Sequence, residues 1–370
     1  MEKQRVMLLV TENCNLNCVY CYEHQKSQKT MSFETAKKII DSYLEGRTSN
    51  KPIVIEIFGG EAFANFPLIK QIDDYILSEY NKLNIIYEIT TNGTLINGEI
   101  QEWLQKNKDR FFISVSLDGT SKMHNKNRVY LNGKGTFEDI DIEFFVNTWP
   151  GCSAKMTVSS ETLPDMADGI IYLDKLGFKC DTTLSVGVDW DAEHNIPILI
   201  RELQKLTDYY IRNPEKRLCT LLNFDLRLIF TPINDNFRFC GAGVDMVCCD
   251  TQGHAYPCQG FAPVSIGDQA EAFMNYNEDK FRLTDENPCK KCPFVRLCSN
   301  CYAANLQSTG NIHKIDTNLC KLYKLCILAS ATINGKRILM KKEMSEDDRL
   351  VLKAVNIIQN YFKNDSSNHC

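Results

Sequence analysis

The chain has 370 residues, 44% of them hydrophobic and 24% charged, a balance that suits a folded protein of two units, one large and one small. A net charge of -5 argues against a nucleic-acid partner, no apolar run approaches the roughly 20 residues of a membrane span, and the first ten residues lack a secretory core, so a cytoplasmic protein is expected, with no nucleic acid and no membrane among its partners. Seventeen cysteines in a reducing compartment are not a disulfide framework and point to metal or redox chemistry.

From residue 5 to about residue 188, short β-type runs alternate with helix-periodic runs, the pattern of repeated strand-helix units around a parallel sheet. Strands are predicted at 6–10, 53–58, 85–90, 111–117, 154–158 and 182–188. After the first, Phe33, Ala36, Ile39, Ile40, Tyr43 and Leu44 recur at helical spacing and form one apolar stripe, with Ser32 as N-cap. Six such units fall short of the eight that close a TIM barrel. The fold class is therefore α/β, an open partial (β/α)6 TIM-like barrel with a small cysteine-rich C-terminal domain.

A helix predicted at 197–212 leads away from this pattern, and from 240 to 326 the chain is loop-rich and cysteine-dense. The tail from Ser345 reads as a helix, with Ser345 and Asp348 in capping-box spacing and Val351, Val355, Ile358 and Phe362 on one face, expected to pack against the barrel or, as the lesser alternative, to enter a partner's groove. The expected division is 1–195 for the barrel, 196–238 for a helical connection, 239–328 for the cysteine-rich unit and 329–370 for the tail.

Cys14, Cys18 and Cys21 follow the first strand directly, at the C-terminal mouth where barrel active sites form. A cubane iron-sulfur cluster usually takes four thiolates, so three clustered cysteines leave one iron open to another ligand. This Cys-x3-Cys-x2-Cys run, with Tyr20 just before the third cysteine, resembles the radical S-adenosylmethionine (radical SAM) superfamily. The resemblance implies that Cys14, Cys18 and Cys21 are catalytic ligands of a [4Fe-4S] cluster. Its open iron would bind the amino and carboxylate groups of S-adenosylmethionine, and reductive cleavage would yield a 5'-deoxyadenosyl radical.

Three more motifs fall where that family places its cofactor contacts. Gly59-Gly60-Glu61 follows the second strand, and by resemblance its backbone and Glu61 receive the cofactor's amino group, the glycines permitting close backbone approach. Thr90-Thr91-Asn92-Gly93-Thr94 ends the third strand and contributes Asn92. Ser116-Leu117-Asp118-Gly119 ends the fourth, with Arg128 beyond it. Ser116 and Arg128 match residues that hold the cofactor carboxylate, and Asp118 is expected to face the ribose or substrate. Without the resemblance, Gly-Gly-Glu is a turn, Asp118 a loop cap and Arg128 a solvated charge.

The second constellation comprises Cys240, Cys258 after Gly253-His-Ala-Tyr-Pro, Cys289, Cys292, Cys298, Cys301 and Cys320. Two Cys-x2-Cys pairs alone read equally as a structural zinc site. The wider pattern resembles the SPASM extension of radical SAM enzymes, which implies two auxiliary [4Fe-4S] clusters and three clusters in all. One would be held by Cys289, Cys292, Cys298 and Cys320, the other by Cys240, Cys258 and Cys301. Cys298 and Cys301 are separated by two residues where the family has three. The fourth ligand of the Cys258 cluster is Cys248, Cys249 or an open position that suits a substrate thiolate. Cys152, Cys180, Cys219, Cys326 and Cys370 read as buried small hydrophobes, with a hydrogen-atom donor as the alternative for Cys219.

Enzymes resembling this one mostly modify ribosomally made peptides. The expected function is a maturase forming thioether crosslinks in a cysteine-rich precursor peptide, supplied with electrons by a flavodoxin or ferredoxin. Rivals are an anaerobic sulfatase-maturing enzyme, disfavoured because Gln259 stands where those members carry an aspartate base, a peptide epimerase or a carbon-carbon crosslinking enzyme. A non-catalytic iron-sulfur or zinc adaptor is the rival outside enzymes. The first strand begins almost at the first residue, so leader recognition is assigned to a separate protein, to 189–239 or to strand addition.

Overall fold

The computed structural model describes residues 4–48, 51–188, 190–298 and 300–364. In chain order β1 (Arg5–Thr11), α1 (Phe33–Leu44), β2 (Ile53–Gly59), α2 (Phe66–Glu79), β3 (Ile85–Thr91), α3 (Gly98–Asn107) and β4 (Phe111–Ser116) show the expected alternation. They are followed by α4 (Ser121–Asn127), α5 (Ile142–Thr148), β5 (Ser153–Val158), α6 (Met166–Lys175), β6 (Lys179–Leu184) and α7 (Ala192–Arg212). The remainder holds short strands β7 (Met246–Cys249) and β8 (Ala255–Tyr256), then α8 (Pro263–Ile266), α9 (Tyr302–Thr309), α10 (Thr317–Leu339) and α11 (Glu346–Asn364).

Contacts divide the chain into a first unit of Met1–Lys155, Leu176–Phe178 and Gly241–Phe281, and a second of Met156–Lys175, Lys179–Cys240 and Arg282–Cys370. In the first unit the strand order is β5-β4-β3-β2-β1-β7-β8. All neighbours are parallel except β8, which folds back on β7. β7 adds a parallel neighbour on the far side of β1. Its four residues are too few to show a period in the sequence.

Register sorts the side chains into rows. Leu8, Ile57, Ile89 and Ile113 stand side by side, as do Val6, Ile55, Tyr87 and Phe111, and none is more than 3% exposed. Burying each aliphatic side chain of these rows is worth about 1.5–3 kcal/mol before chain entropy is charged against it. The opposite face carries Met7, Glu56, Glu88 and Phe112 in register, a polar row with half-exposed Phe112 at its end. α1 forms as its pattern dictates: Ser32 Oγ accepts the Thr35 N–H at 3.1 Å, and Ala36, Ile39, Ile40 and Leu44 are buried.

In the second unit β6 starts three residues before the predicted strand. It ends at Leu184, because the Ser185 N–H returns to the Val158 carbonyl at 2.9 Å and Gly187, at φ 71°, turns the chain. The α7 helix begins at Ala192, capped by Asp191, and absorbs Pro197 instead of starting at it. The tail helix has the reciprocal capping box, with Ser345 N–H to Asp348 Oδ2 at 3.0 Å and Asp348 N–H to Ser345 Oγ at 3.1 Å. Contrary to expectation it packs on α10 in its own unit. Ala354, Val355, Ile358 and Phe362 close a core with Ile327, Ala331, Phe294 and Leu297. Among the described residues no helix is long and apolar enough to cross a membrane.

Candidate active site

β1 ends at Thr11, and the loop that follows brings Cys14, Cys18 and Cys21 to one cavity of about 590 Å³, shared with Asn13, Asn17, Glu23 and Lys26. The glycines after β2 explain how this loop is held. A Cβ on Gly59 would stand 2.3 Å from the Thr11 carbonyl oxygen, and one on Gly60 would stand 2.4 Å from that of Asn13 and 2.8 Å from Cys14 Cβ. Their close approach is thus to the cysteine loop itself. It is fastened by hydrogen bonds from Gly60 N to Thr11 O at 3.1 Å and from Glu61 N to Asn13 O at 2.9 Å.

Burial pushes the Cys14 thiol up to about 12 and raises that of Cys18, while the Lys26 ammonium works against burial at both. Lys26 Nζ also donates to the Leu16 carbonyl at 3.4 Å. Thiols must lose their protons to hold iron, so a cation beside all three lowers the cost of assembling a metal centre here. Three soft donors around one cavity, with a counter-charge, fit a [4Fe-4S] cluster with one iron free. Lys26 was not anticipated. Its only mark in the sequence is its place five residues after Cys21.

Glu61 is buried, and both of its oxygens are occupied. Oε1 accepts from Thr91 Oγ1 at 2.8 Å and from the Phe63 N–H at 3.2 Å, and Oε2 accepts from the Asn92 N–H at 2.7 Å. Burial raises its pKa and these three donors hold it back. The carboxylate therefore anchors the end of β3 to the exit of β2. Asn92 carries the tie on to the cysteine loop, donating to Asn15 Oδ1 at 2.9 Å.

Asp118 is held by three donors. It is fully buried, accepting from Tyr20 Oη, from Asn127 Nδ2 at 3.3 Å and from Arg128 Nη2 at 3.1 Å. Arg128 lies over the Tyr20 ring, 5.4 Å from its centre, and its charge bears on the Cys18 thiol. Burial opposes the Arg128 charge, but Asp118, Tyr20 and Cys18 together more than offset it. Arg128 Nε is buried and has no hydrogen-bond partner among the described residues. An orphaned guanidinium N–H next to a cluster thiol suits an anionic oxygen.

The support extends one layer further. His124 is completely buried, and burial pulls its pKa down to about 4, so the ring is neutral. The Asp118 N–H donates to Nδ1 at 3.3 Å, which leaves Nε2 as the donor to Thr136 Oγ1 at 2.9 Å, and that hydroxyl donates to the Arg128 carbonyl at 3.1 Å. His124 and Asn127 are two further residues the sequence did not reveal. Ser116, at the end of β4, is buried on the polar side of the sheet.

The polar row lines a second cavity of about 310 Å³, bordered by Arg5, Met7, Glu56, Glu88, Ser114, Lys155 and Gln259. Arg5 Nη1 bridges Glu56 at 2.6 Å and Glu88 at 2.7 Å. Burial raises the Glu56 pKa, and Arg5 works against it. A closed TIM barrel fills this space with layered aliphatic side chains. Here it is charged and open.

The second unit groups Cys289, Cys292, Cys298 and Cys320 closely enough that each thiol's charge bears on others of the set. Asn287 orients the first of them, its Oδ1 accepting the Cys289 N–H at 2.9 Å. Of the other expected set, Cys258 follows β8 in the first unit, while Cys240 and Cys301 are exposed residues of the second. Cys219 is 1% exposed beside Tyr210, with Cys180 and Cys326 also near it, which is the environment of a packed hydrophobe. Cys152 is half-buried, and Cys370 lies outside the described residues.

Comparison with known proteins agrees with this geometry. Residues 8–141 match the family described as the radical SAM superfamily. The chain belongs to that superfamily: it is an enzyme that uses S-adenosylmethionine with a [4Fe-4S] cluster. It is 24% identical to the radical SAM cyclopropyl synthase TigE of Paramaledivibacter caminithermalis over 361 residues, covering 87% of this chain and 72% of TigE. It is 25% identical over 337 residues to the antilisterial bacteriocin subtilosin biosynthesis protein AlbA of Bacillus subtilis, covering 85% of this chain and 70% of AlbA. Among solved structures, native anSMEcpe with bound AdoMet superposes with a TM-score of 0.69 at 20% identity, covering 95% of this chain and 99% of that one, and so shares its fold.

Proposed function

We propose that the enzyme is a maturase that acts on a ribosomally made, cysteine-containing peptide and joins a peptide carbon to a cysteine sulfur. The observation that carries this reading is the charged cavity on the inner face of the sheet. At about 310 Å³ it is at the small end of ligand pockets, with room for one or two side chains and not for a whole peptide. A substrate that offers a single residue to the chamber and leaves the rest outside fits it. The likeness of 85% of this chain to 70% of a bacteriocin biosynthesis protein supports the same class of substrate.

Cys14, Cys18 and Cys21 would hold the cluster, and S-adenosylmethionine bound there supplies the 5'-deoxyadenosyl radical that takes a substrate hydrogen. Arg128, through the N–H that lacks a protein partner, and Ser116 would receive the cofactor carboxylate. The backbone of Gly59 and Gly60 would receive its amino group. Tyr20 and Asp118 hold Arg128 in place. The remaining cysteines of the second constellation would hold auxiliary [4Fe-4S] clusters, with an electron supplied by a flavodoxin or ferredoxin and the leader bound by a separate protein.

One observation favours a second reading. Gln259 lines the inner cavity together with Glu56 and Glu88, so a carboxylate that can take a proton is at hand although Gln259 cannot. Sulfatase-type oxidation of a cysteine to an aldehyde is then chemically open, in keeping with the shared fold. Mass spectrometry decides between them. Reduced, reconstituted enzyme and S-adenosylmethionine are incubated with a cysteine-rich peptide encoded beside the gene. A thioether appears as the loss of two hydrogens and one free thiol per crosslink. An aldehyde that reacts with hydrazide would establish the second reading, and unchanged peptide mass would end the first.

A further inference from the structure

β7 carries two adjacent cysteines, and a strand's period of two sends them to opposite faces. Cys249 is in register with Leu8, whose row runs on through Ile57, Ile89 and Ile113, the apolar face. Its thiol meets the hydroxyl of Tyr43 on α1. Cys248 is in register with Met7, whose row runs on through Glu56 and Glu88, the face that borders the inner cavity. A shift of one residue in β7 would exchange the two, but it would also turn Met246 away from that cavity, which it lines.

The hairpin leads to a second thiol nearby. β8 returns antiparallel with Tyr256 directly opposite Cys248. β8 ends at Tyr256, the chain bends at residues 257 and 258, and Cys258, itself at φ -162° and ψ 175°, follows two residues on. The bend returns the chain to the same cavity: Gln259, next to Cys258, borders it together with Met246, which shares a face of β7 with Cys248. The charge of Cys258 bears on Cys248, as do those of its chain neighbour Cys249, which bears on it more strongly, and of Glu56. Cys248 itself is completely buried.

We propose that Cys248 is an iron ligand alongside Cys258, filling with a protein thiolate the coordination position that the sequence leaves open, and that Cys249 is not a ligand. This rests on the reading of Cys258 as an auxiliary-cluster ligand. Two neighbouring soft sulfur donors, one fully buried and the other half-buried, are what an iron-sulfur cluster selects. The consequence for the reaction is specific: the substrate sulfur is not held on an iron at this place, and it meets the enzyme at the carboxylate-lined cavity beside it.

The test uses the full chain reconstituted anaerobically, in a background carrying Cys14→Ala, Cys18→Ala and Cys21→Ala so that the first cluster contributes no signal. Iron and sulfide content and the electron paramagnetic resonance spectrum of the reduced protein are measured for Cys258→Ala, Cys248→Ala, Cys248→Ser and Cys249→Ser, with circular dichroism as the check on folding. The proposal expects Cys258→Ala and both Cys248 variants to lose one cluster's signal, about four irons per chain, and Cys249→Ser to keep it. Retention of full iron and an unchanged spectrum in both Cys248 variants, while Cys258→Ala loses them, overturns the proposal and leaves the auxiliary cluster standing. Equal losses at Cys248 and Cys249 in a folded protein overturn it as well, because they report packing. Retention in Cys258→Ala would instead remove the reading on which it rests.

Discussion

Replacing Gly60 with alanine tests how the cysteine loop is held. The new methyl would stand 2.4 Å from the Asn13 carbonyl oxygen, 2.7 Å from its carbon and 2.8 Å from Cys14 Cβ, all rigid atoms. The loop must withdraw by at least about 0.6 Å to restore the 3.0 Å that real Cβ atoms respect. Overpacking of this kind costs about 1–3 kcal/mol. The hydrogen bonds from Gly60 N to Thr11 O and from Glu61 N to Asn13 O, each worth about 0.5–1.5 kcal/mol net, weaken with it. A total of about 2–6 kcal/mol, if both bonds are lost, is a large part of a domain's stability. The displaced atoms also belong to a catalytic ligand, and a misplacement near 1 Å costs about 10²-fold in rate. Iron per chain after reconstitution, the rate of 5'-deoxyadenosine formation and urea unfolding are the assays. Gly46→Ala is the control: at φ 75° with nothing within 4 Å, it strains the backbone without touching the site. Full iron and a wild-type rate of 5'-deoxyadenosine formation in Gly60→Ala would refute the reasoning.

Asp118→Asn leaves the buried Arg128 guanidinium without its counter-charge, and unfolding should show a loss of about 3–5 kcal/mol together with weakened S-adenosylmethionine binding by equilibrium dialysis. Arg128→Lys keeps the charge but not the planar fork, so cofactor affinity should fall by about tenfold or more while the cluster still assembles, as read by calorimetry and iron content. The His124 pKa is lowered to about 4 in the fold, below its ordinary 6.5. As pH falls from 6.5 to 4 the unfolded chain therefore gains a proton that the folded one refuses, and stability should drop by up to about 3 kcal/mol. His124→Gln should flatten that limb of the pH profile. Ser345→Ala removes one half of the capping box and should cost about 1 kcal/mol in urea unfolding without changing iron content.

The strands and the first helix were legible because their apolar residues fall at periods that only one face can satisfy. Val6 and Leu8 against Ile55 and Ile57 announce a covered face, and Ser32 announces the start of α1. β7 was not, since four residues paired through the register of β1 carry no local pattern. The cysteine loop was legible from spacing alone, because the ligands of a cluster must be close in the chain when they come from one loop. What surrounds them was not. An aspartate after a strand looks like a loop residue, and nothing near Asp118 in the sequence says that Tyr20, 98 residues earlier, closes over it. Glu61 was found by its motif, but its occupation by Thr91 and Asn92 comes from a neighbouring strand. Cys248 and Cys249 are adjacent and identical in type. Only the pleat of the folded strand tells them apart.

The most direct test of the account is to supply the reduced, reconstituted enzyme with S-adenosylmethionine and measure 5'-deoxyadenosine by liquid chromatography, for the wild type and for Cys18→Ala. The wild type should release it with reductant-dependent kinetics and the variant should release none. No product from a wild type carrying its full complement of iron, or equal product from both proteins, would contradict the assignment of Cys14, Cys18 and Cys21 as the site where the radical is made.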